Sequence, residues 1–343
     1  MRVITNLDPK TYERIESLVK EGGYSNVDQF LRVAAQNQIS IEEEEEEVSE
    51  VSADTEESKE SRPNYQWKYE FPTNHPISEP YERDRHNILL FQQYYRFFPL
   101  IPVLIELAKV TGSTGEPVEL SEFRDHVEEK VIPIRNKIMD WEDKNSIKKQ
   151  NKKSTGFPKR DVKNTEYSMK RYLDHFVGKV RKRDNEPQSF GDSLALVSYN
   201  PLDSGQCLLQ LTRAGKELIN IQNPILKDGP ENPPLSREER EYLLQHISEV
   251  LPEEFKFMSF VYDTLKENEA ETYTNSLDQF REFLMNSDGF DDEDPSDDRI
   301  RSITAGVLSR MVELGIVVRG DKRGVYVPER EPRDYIHSES AGD

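Results

Sequence analysis

The sequence predicts a mainly helical α+β protein in which short β hairpins punctuate the helices. Three observations carry this expectation. Apolar residues recur at helical spacing through most segments outside the polar connectors. The runs with strand character are short and come in pairs around turn residues, as in "LALVSYNPLDSGQCLLQLT" and "IVVRGDKRGVYVP". Composition also shifts abruptly along the 343 residues, which places a small unit at 1–40, a linker at 41–65, larger units at 66–228 and 229–330, and a flexible tail at 331–343.

Hydrophobic residues make up 34% and charged residues 33% of the chain, polar enough to call for solvated connectors between folded parts. One cysteine, Cys207, excludes an internal disulfide framework and any multi-cysteine zinc site, so a reducing, cytoplasmic setting is expected. The opening residues read as structure, so no signal peptide is expected. The longest apolar run, "FFPLIPVLIEL", carries two prolines and a glutamate within eleven residues, and no membrane span is expected. Net charge is −20, yet residues 148–183 hold thirteen Lys and Arg against Asp161, Glu166 and Asp174. That asymmetry points to a phosphate-facing patch on an acidic body. The acidic bulk also fits a high-salt cytoplasm, where surface carboxylates keep a protein in solution.

Element by element, Arg2 to Leu7 alternates, with Val3, Thr5 and Leu7 on one face and Arg2, Ile4 and Asn6 on the other. Asp8-Pro9 is a helix start, and Tyr12, Ile15, Leu18 and Val19 follow at helical spacing. Gly22 and Gly23 end that helix; Ser25-Asn26-Val27-Asp28 opens a second one with Phe30, Leu31 and Ala34 in its stripe. Such a short strand-helix-helix unit cannot bury its own apolar faces, so a partner chain is needed. These residues resemble the ribbon-helix-helix family of DNA-binding proteins. The resemblance implies a homodimer whose paired first strands enter the major groove of double-stranded DNA, with Arg2, Ile4 and Asn6 where that family contacts bases. It places Ser25 and Asn26 where that family grips phosphate. Asn6 has the chemistry to donate to and accept from adenine at once.

From Ser40 to about Asn64 the chain has six consecutive glutamates, many serines and no aromatic residue: an extended linker, or alternatively a decoy competing with DNA for the basic patch. Core-forming sequence begins near Gln66. Leu89, Phe91, Tyr94 and Phe97, then Leu100, Val103, Leu104 and Leu107, predict two helical segments hinged at Pro99 and Pro102. Glu119 to Val131 and Ile132 to Trp141 predict two more. The basic segment begins with loop composition, then shows helical spacing at Tyr167, Tyr172, Phe176 and Val180. Its phosphate-contact candidates are Lys148, Lys149, Lys152, Lys153, Lys159, Arg160, Lys170, Arg171, Lys179, Arg181, Lys182 and Arg183. A hairpin and the helix "RAGKELINI" close the unit. Helices, a hairpin, then a helix opened by Leu-Thr-x-Ala-Gly resemble a winged-helix domain.

"NPILKDGPENPPLS" (223–236) has the proline content of a domain boundary. Beyond it, helices are expected over Pro252 to Lys266, Ser276 to Met285 and Asp297 to Leu314, then a hairpin with a basic tip. This order also resembles the winged-helix family, in which the third helix docks in the major groove and the wing touches phosphate or the minor groove. The resemblance puts Arg301, Ser302 and Arg310 on or beside the exposed face and Lys322 and Arg323 in the wing. Seven acids within 288–298 lie before and at the start of that helix, and some winged helices bind proteins instead. The acidic run lacks the ligand pattern of a calcium loop.

No metal-ligand spacing, phosphate loop or nucleophile motif is present, so no catalytic residue, cofactor or metal is expected. The reading is a sequence-specific, dimeric DNA-binding regulator of transcription. Alternatives are a DNA-acting enzyme or nuclease accessory subunit, with Glu122 to Lys130 as one stretch to search, and a winged-helix scaffold that recruits another protein.

Overall fold

Prolines set where the first long element begins. The computed structural model describes residues 69–335 apart from 73–74, 83–84, 86–88, 91–95, 161–164, 182–185, 203–204, 269–271, 288–289, 291–294 and 323. Pro99 lies in a 3-10 turn (Phe98–Leu100) and Pro102 in the first turn of α1 (Ile101–Thr114). Both sit where a backbone N–H has no helical partner, so neither breaks the helix. Instead of a hinged pair there is one helix behind a proline-rich start, and Leu89 and Leu90 ahead of it are buried but not helical.

Strand β1 (Val118–Glu119) leads into α2 (Leu120–Lys144), whose first turn is capped by the Glu119 carboxylate accepting from Ser121 N at 2.7 Å. Two helices were expected here. One forms, with Pro133 inside it, because Phe123, Val127, Val131, Ile134 and Ile138 make an unbroken buried stripe on both sides of the proline. Helix α3 (Thr165–Tyr172) continues as a π turn (Leu173–Val177) and stops at Gly178, whose φ is +110°. Val180, expected on that helix, lies instead in β2 (Lys179–Val180), which pairs with β3 (Pro187–Gln188) as a hairpin. After the short α4 (Phe190–Ser193) comes the expected hairpin of β4 (Val197–Pro201) and β5 (Cys207–Leu211). Strand β1 pairs on the free edge of β5, giving the sheet order β1-β5-β4.

The Leu-Thr-x-Ala-Gly motif has a physical reason. Thr212 Oγ1 accepts from Gly215 N (3.1 Å), capping α5 (Arg213–Asn220), and donates to Ala195 O (2.7 Å). Gly215 lies so close to the Leu196 carbonyl that a side chain there would collide with backbone. Short α6 (Pro224–Asp228) follows.

The C-terminal helices are α7 (Arg237–Val250), α8 (Pro252–Glu267), α9 (Leu277–Met285) and α10 (Asp297–Leu314), followed by β6 (Val317–Arg319) paired with β7 (Tyr326–Pro328). Thr272 bridges antiparallel to Val325, the residue just before β7. The described residues fall in one compact unit with a single apolar core. The proline-rich stretch taken as a domain boundary is part of it. Ile225, Leu226 and Leu235 are buried, and Asn223 Nδ2 donates to Pro234 O at 2.7 Å. Among the described residues no helix is long and apolar enough to cross a membrane.

Candidate nucleic-acid interface

The basic segment is anchored in large part by groups other than its own cations. Glu142, fully buried at the end of α2, accepts from Ser154 N (2.8 Å) and Ser154 Oγ (2.5 Å), which stitches the following loop onto the helix. Phe157 packs between Phe98 and Tyr172, and the Tyr172 hydroxyl donates to Pro99 O at 2.9 Å. Arg135 Nη1 donates to Lys159 O (3.0 Å), while Lys159 N donates to Ser168 Oγ (2.7 Å), so the loop lies along α3.

On this frame Lys148, Lys149, Lys159, Arg160, Lys170, Arg171 and Lys179 are exposed. Arg171 is one helical turn beyond Ser168, hence on the face that meets Lys159. Lys170 pairs with Asp174 (2.7 Å); Asp174 also accepts from Arg124 (2.7 Å), which donates to Gly178 O beside Lys179. A continuous line of contacts therefore joins the loop, α3 and the β2–β3 hairpin. Lys148, Arg171 and Lys179 have no carboxylate partner among the described residues. Arg160 bridges Asp140 (2.6 Å) and Asp143 (2.9 Å), with Lys152 3.5 Å from Asp143, and Arg181 pairs with Glu186. Exposed pairs of this kind contribute about 0–1 kcal/mol, so a phosphate can compete for these cations.

Lys153 is different. Its ammonium donates to Pro230 O (2.6 Å) and Asn232 O (2.7 Å) and sits 4.4 Å above the Trp141 ring, and burial holds its pKa below the usual lysine range. It is a strut joining the loop to the chain ahead of α7. Lys182 and Arg183, like Arg2, Ile4, Asn6, Ser25, Asn26 and the acidic linker, lie outside the described residues.

The C-terminal candidates separate in the same way. Arg301 is exposed but held by Asp298 (3.1 Å) and Asp297 (3.9 Å); Ser302 is half-buried, Lys322 is exposed and Arg323 is outside the described residues. Arg310, expected on or beside an exposed face, is fully buried: Nε and Nη2 donate to Glu254 Oε1 at 3.0 and 2.6 Å. Arg310 Nη2 also donates to Leu90 O, while Glu254 Oε2 accepts from Leu90 N at 2.9 Å. In the last turn of α10, Glu313 is buried too and accepts from Phe97 N and Phe98 N. Beyond its first turn α10 is packed nearly all round, leaving no broad face to enter a groove.

Within Glu122–Lys130, His126 Nε2 lies 2.7 Å from Glu106 Oε2, and Glu106 also takes Lys109 (3.0 Å) and the Tyr69 hydroxyl. Burial raises the Glu106 pKa, but its donors outweigh that and hold the carboxyl below its ordinary value. Sequence reasoning missed this knot because its members are far apart in the chain. Among the described residues no group of three or more His, Cys, Asp or Glu is placed to hold a metal ion. No family model, curated protein or solved structure matches the chain.

Proposed function

We propose that the chain is a dimeric DNA-binding protein, a regulator of transcription, whose middle region is a winged-helix unit contacting phosphate through α3 and its flanking basic stretches. The observation that carries this is the run of exposed cations on the loop, α3 and the β2–β3 hairpin of a molecule with net charge −20. The order α1, β1, α2, α3, β4, β5 with β5 central supports the fold reading, since a winged helix places its last strand between the other two. The order α8, Thr272, α9, α10, β6, β7 repeats that plan, with Val325 bridging to Thr272. In this reading the C-terminal copy is a buttress, because its third helix is covered. The N-terminal ribbon supplies self-association and base readout through Arg2, Ile4 and Asn6.

The test is DNA affinity of the full chain as a function of salt. Replacing Lys148, Lys159, Arg171 and Lys179 with Gln, and leaving Lys153 intact, should weaken binding to all sequences and flatten the slope of log affinity against log salt by up to about 0.9 per lost phosphate contact. Asn6→Ala should instead relax preference at one base pair, by on the order of 1–3 kcal/mol. Unchanged affinity and slope in the fourfold variant would remove the basis for phosphate contact by this face.

A further inference from the structure

A cleft of about 570 Å³ opens between the first turns of α7, the end of α10 and the segment after β7, lined by Arg237, Arg240, Gly315, Glu329, Arg330 and Tyr335. Its size falls within the range of small-molecule sites. We propose that it binds a small molecule carrying a phosphate or carboxylate group together with a hydroxyl or amine donor.

The cleft is built by local rules. Helix α10 ends at Gly315 in the left-handed region (φ +73°), and the Ile316 carbonyl that follows accepts from Glu329 N (2.9 Å) and Arg330 N (3.3 Å). That pins the chain leaving β7 beside the end of α10. Arg330 stacks 3.7 Å over the Tyr335 ring, which fixes its guanidinium plane along one wall. From the opposite wall Arg240 reaches in over Gly315, where even a single Cβ would lie 2.8 Å from Nη1.

The three guanidiniums are unequally satisfied. Arg237 and Arg330 share the Glu241 carboxylate, at 2.8 and 3.4 Å, and each keeps further N–H groups. The Arg240 guanidinium has no hydrogen-bond partner among the described residues, and its Nε is closed off from solvent without an acceptor. A donor fork held in a cleft and left unpaired is the arrangement that planar oxyanions satisfy two bonds at a time. The nearby buried acid Glu313 attracts Arg240 across space but makes no hydrogen bond to it, its carboxylate accepting from the Phe97 and Phe98 amides. Glu329, exposed on the lining, repels a bare anion and accepts from a hydroxyl or amine, which sets the second half of the ligand's chemistry. None of these residues belongs to the basic face of the loop, α3 and the β2–β3 hairpin.

The experiment is thermal unfolding and calorimetric titration of the full chain with O-phosphoethanolamine in one arm and malate in the other, each against sodium chloride of matched ionic strength. The expected result is a rise of several degrees in Tm at millimolar probe in at least one arm, and the arm that responds tells phosphate from carboxylate. Arg240→Gln breaks no side-chain hydrogen bond among the described residues, and against its own unliganded Tm it should lose the rise; Arg237→Gln, at an exposed position, should reduce it. The variant with Lys148, Lys159, Arg171 and Lys179 neutralised should keep it, which separates this cleft from the proposed DNA face. A rise equal to that in sodium chloride, an undiminished rise with Arg240→Gln, or no rise in either arm would overturn the proposal.

Discussion

Glu239 is the residue through which pH should act most directly on stability. It is the third residue of α7, in a capping box with Ser236: its Oε2 accepts from Ser236 N (2.7 Å), and Asn223 Nδ2 donates to both oxygens (3.0 and 3.1 Å). Burial pushes its carboxyl up to about 7 from 4.5, the hydrogen bonds offsetting only part of that. The folded state thus holds this proton more tightly than the unfolded chain. The resulting stabilisation is complete below pH 4.5 and lost as pH rises through about 7. Glu239→Gln should remove a contribution on the order of 3 kcal/mol to the pH dependence of urea unfolding in that window. His246 works the other way: burial holds its imidazole below 6.5, so its contribution is lost as pH falls from 6.5 toward the folded value. Comparing the variant with the parent isolates Glu239. Some residues are legible in the chain alone. The Ser-x-x-Glu spacing at 236–239 is a helix start that sequence reasoning passed over, and with it α7. Arg310 was legible too, since it lies three residues after Val307 and four before Leu314, within the buried stripe. The winged-helix resemblance puts Arg310 on or beside an exposed face, and the partner that buries it, Glu254, is 56 residues away.

Elements with a long apolar stripe were legible: the sequence-derived bounds for α8, α9, α10 and the hairpin of β4 and β5 agree with the structure to within a few residues. Elements defined by a partner were not. The two-residue strands β1, β2 and β3 carry too little pattern, and only pairing makes them strands. Helix α2 is expected as two helices, Glu119 to Val131 and Ile132 to Trp141, and it carries Pro133 inside it, although a proline inside a helix removes a hydrogen bond and costs about 3 kcal/mol. The buried stripe crossing that point supplies more than this. Pro133 is exposed, so Pro133→Ala should fit without collision and raise stability by about 1–3 kcal/mol in chemical denaturation. A loss of stability would mean that the proline shapes the helix for its packing.

For the whole molecule the continuity of the core matters most, because helices α8 and α10 close over the chain that leads into α1. The buried pair of Glu254 and Arg310 makes that closure, and removing one member strands the other charge. Arg310→Ala should therefore cost about 3–5 kcal/mol, measured by urea unfolding. Exchanging the two, as Glu254→Arg with Arg310→Glu, is the usual way to show that only attraction between opposite signs matters. Here the swap should fail to rescue, leaving the protein no more stable than Arg310→Ala. Leu90 offers its amide hydrogen to the carboxylate and its oxygen to the guanidinium, so after the exchange like poles would face each other on both sides of one residue. The site thus has a handed polarity, dictated by the direction in which the backbone runs past it.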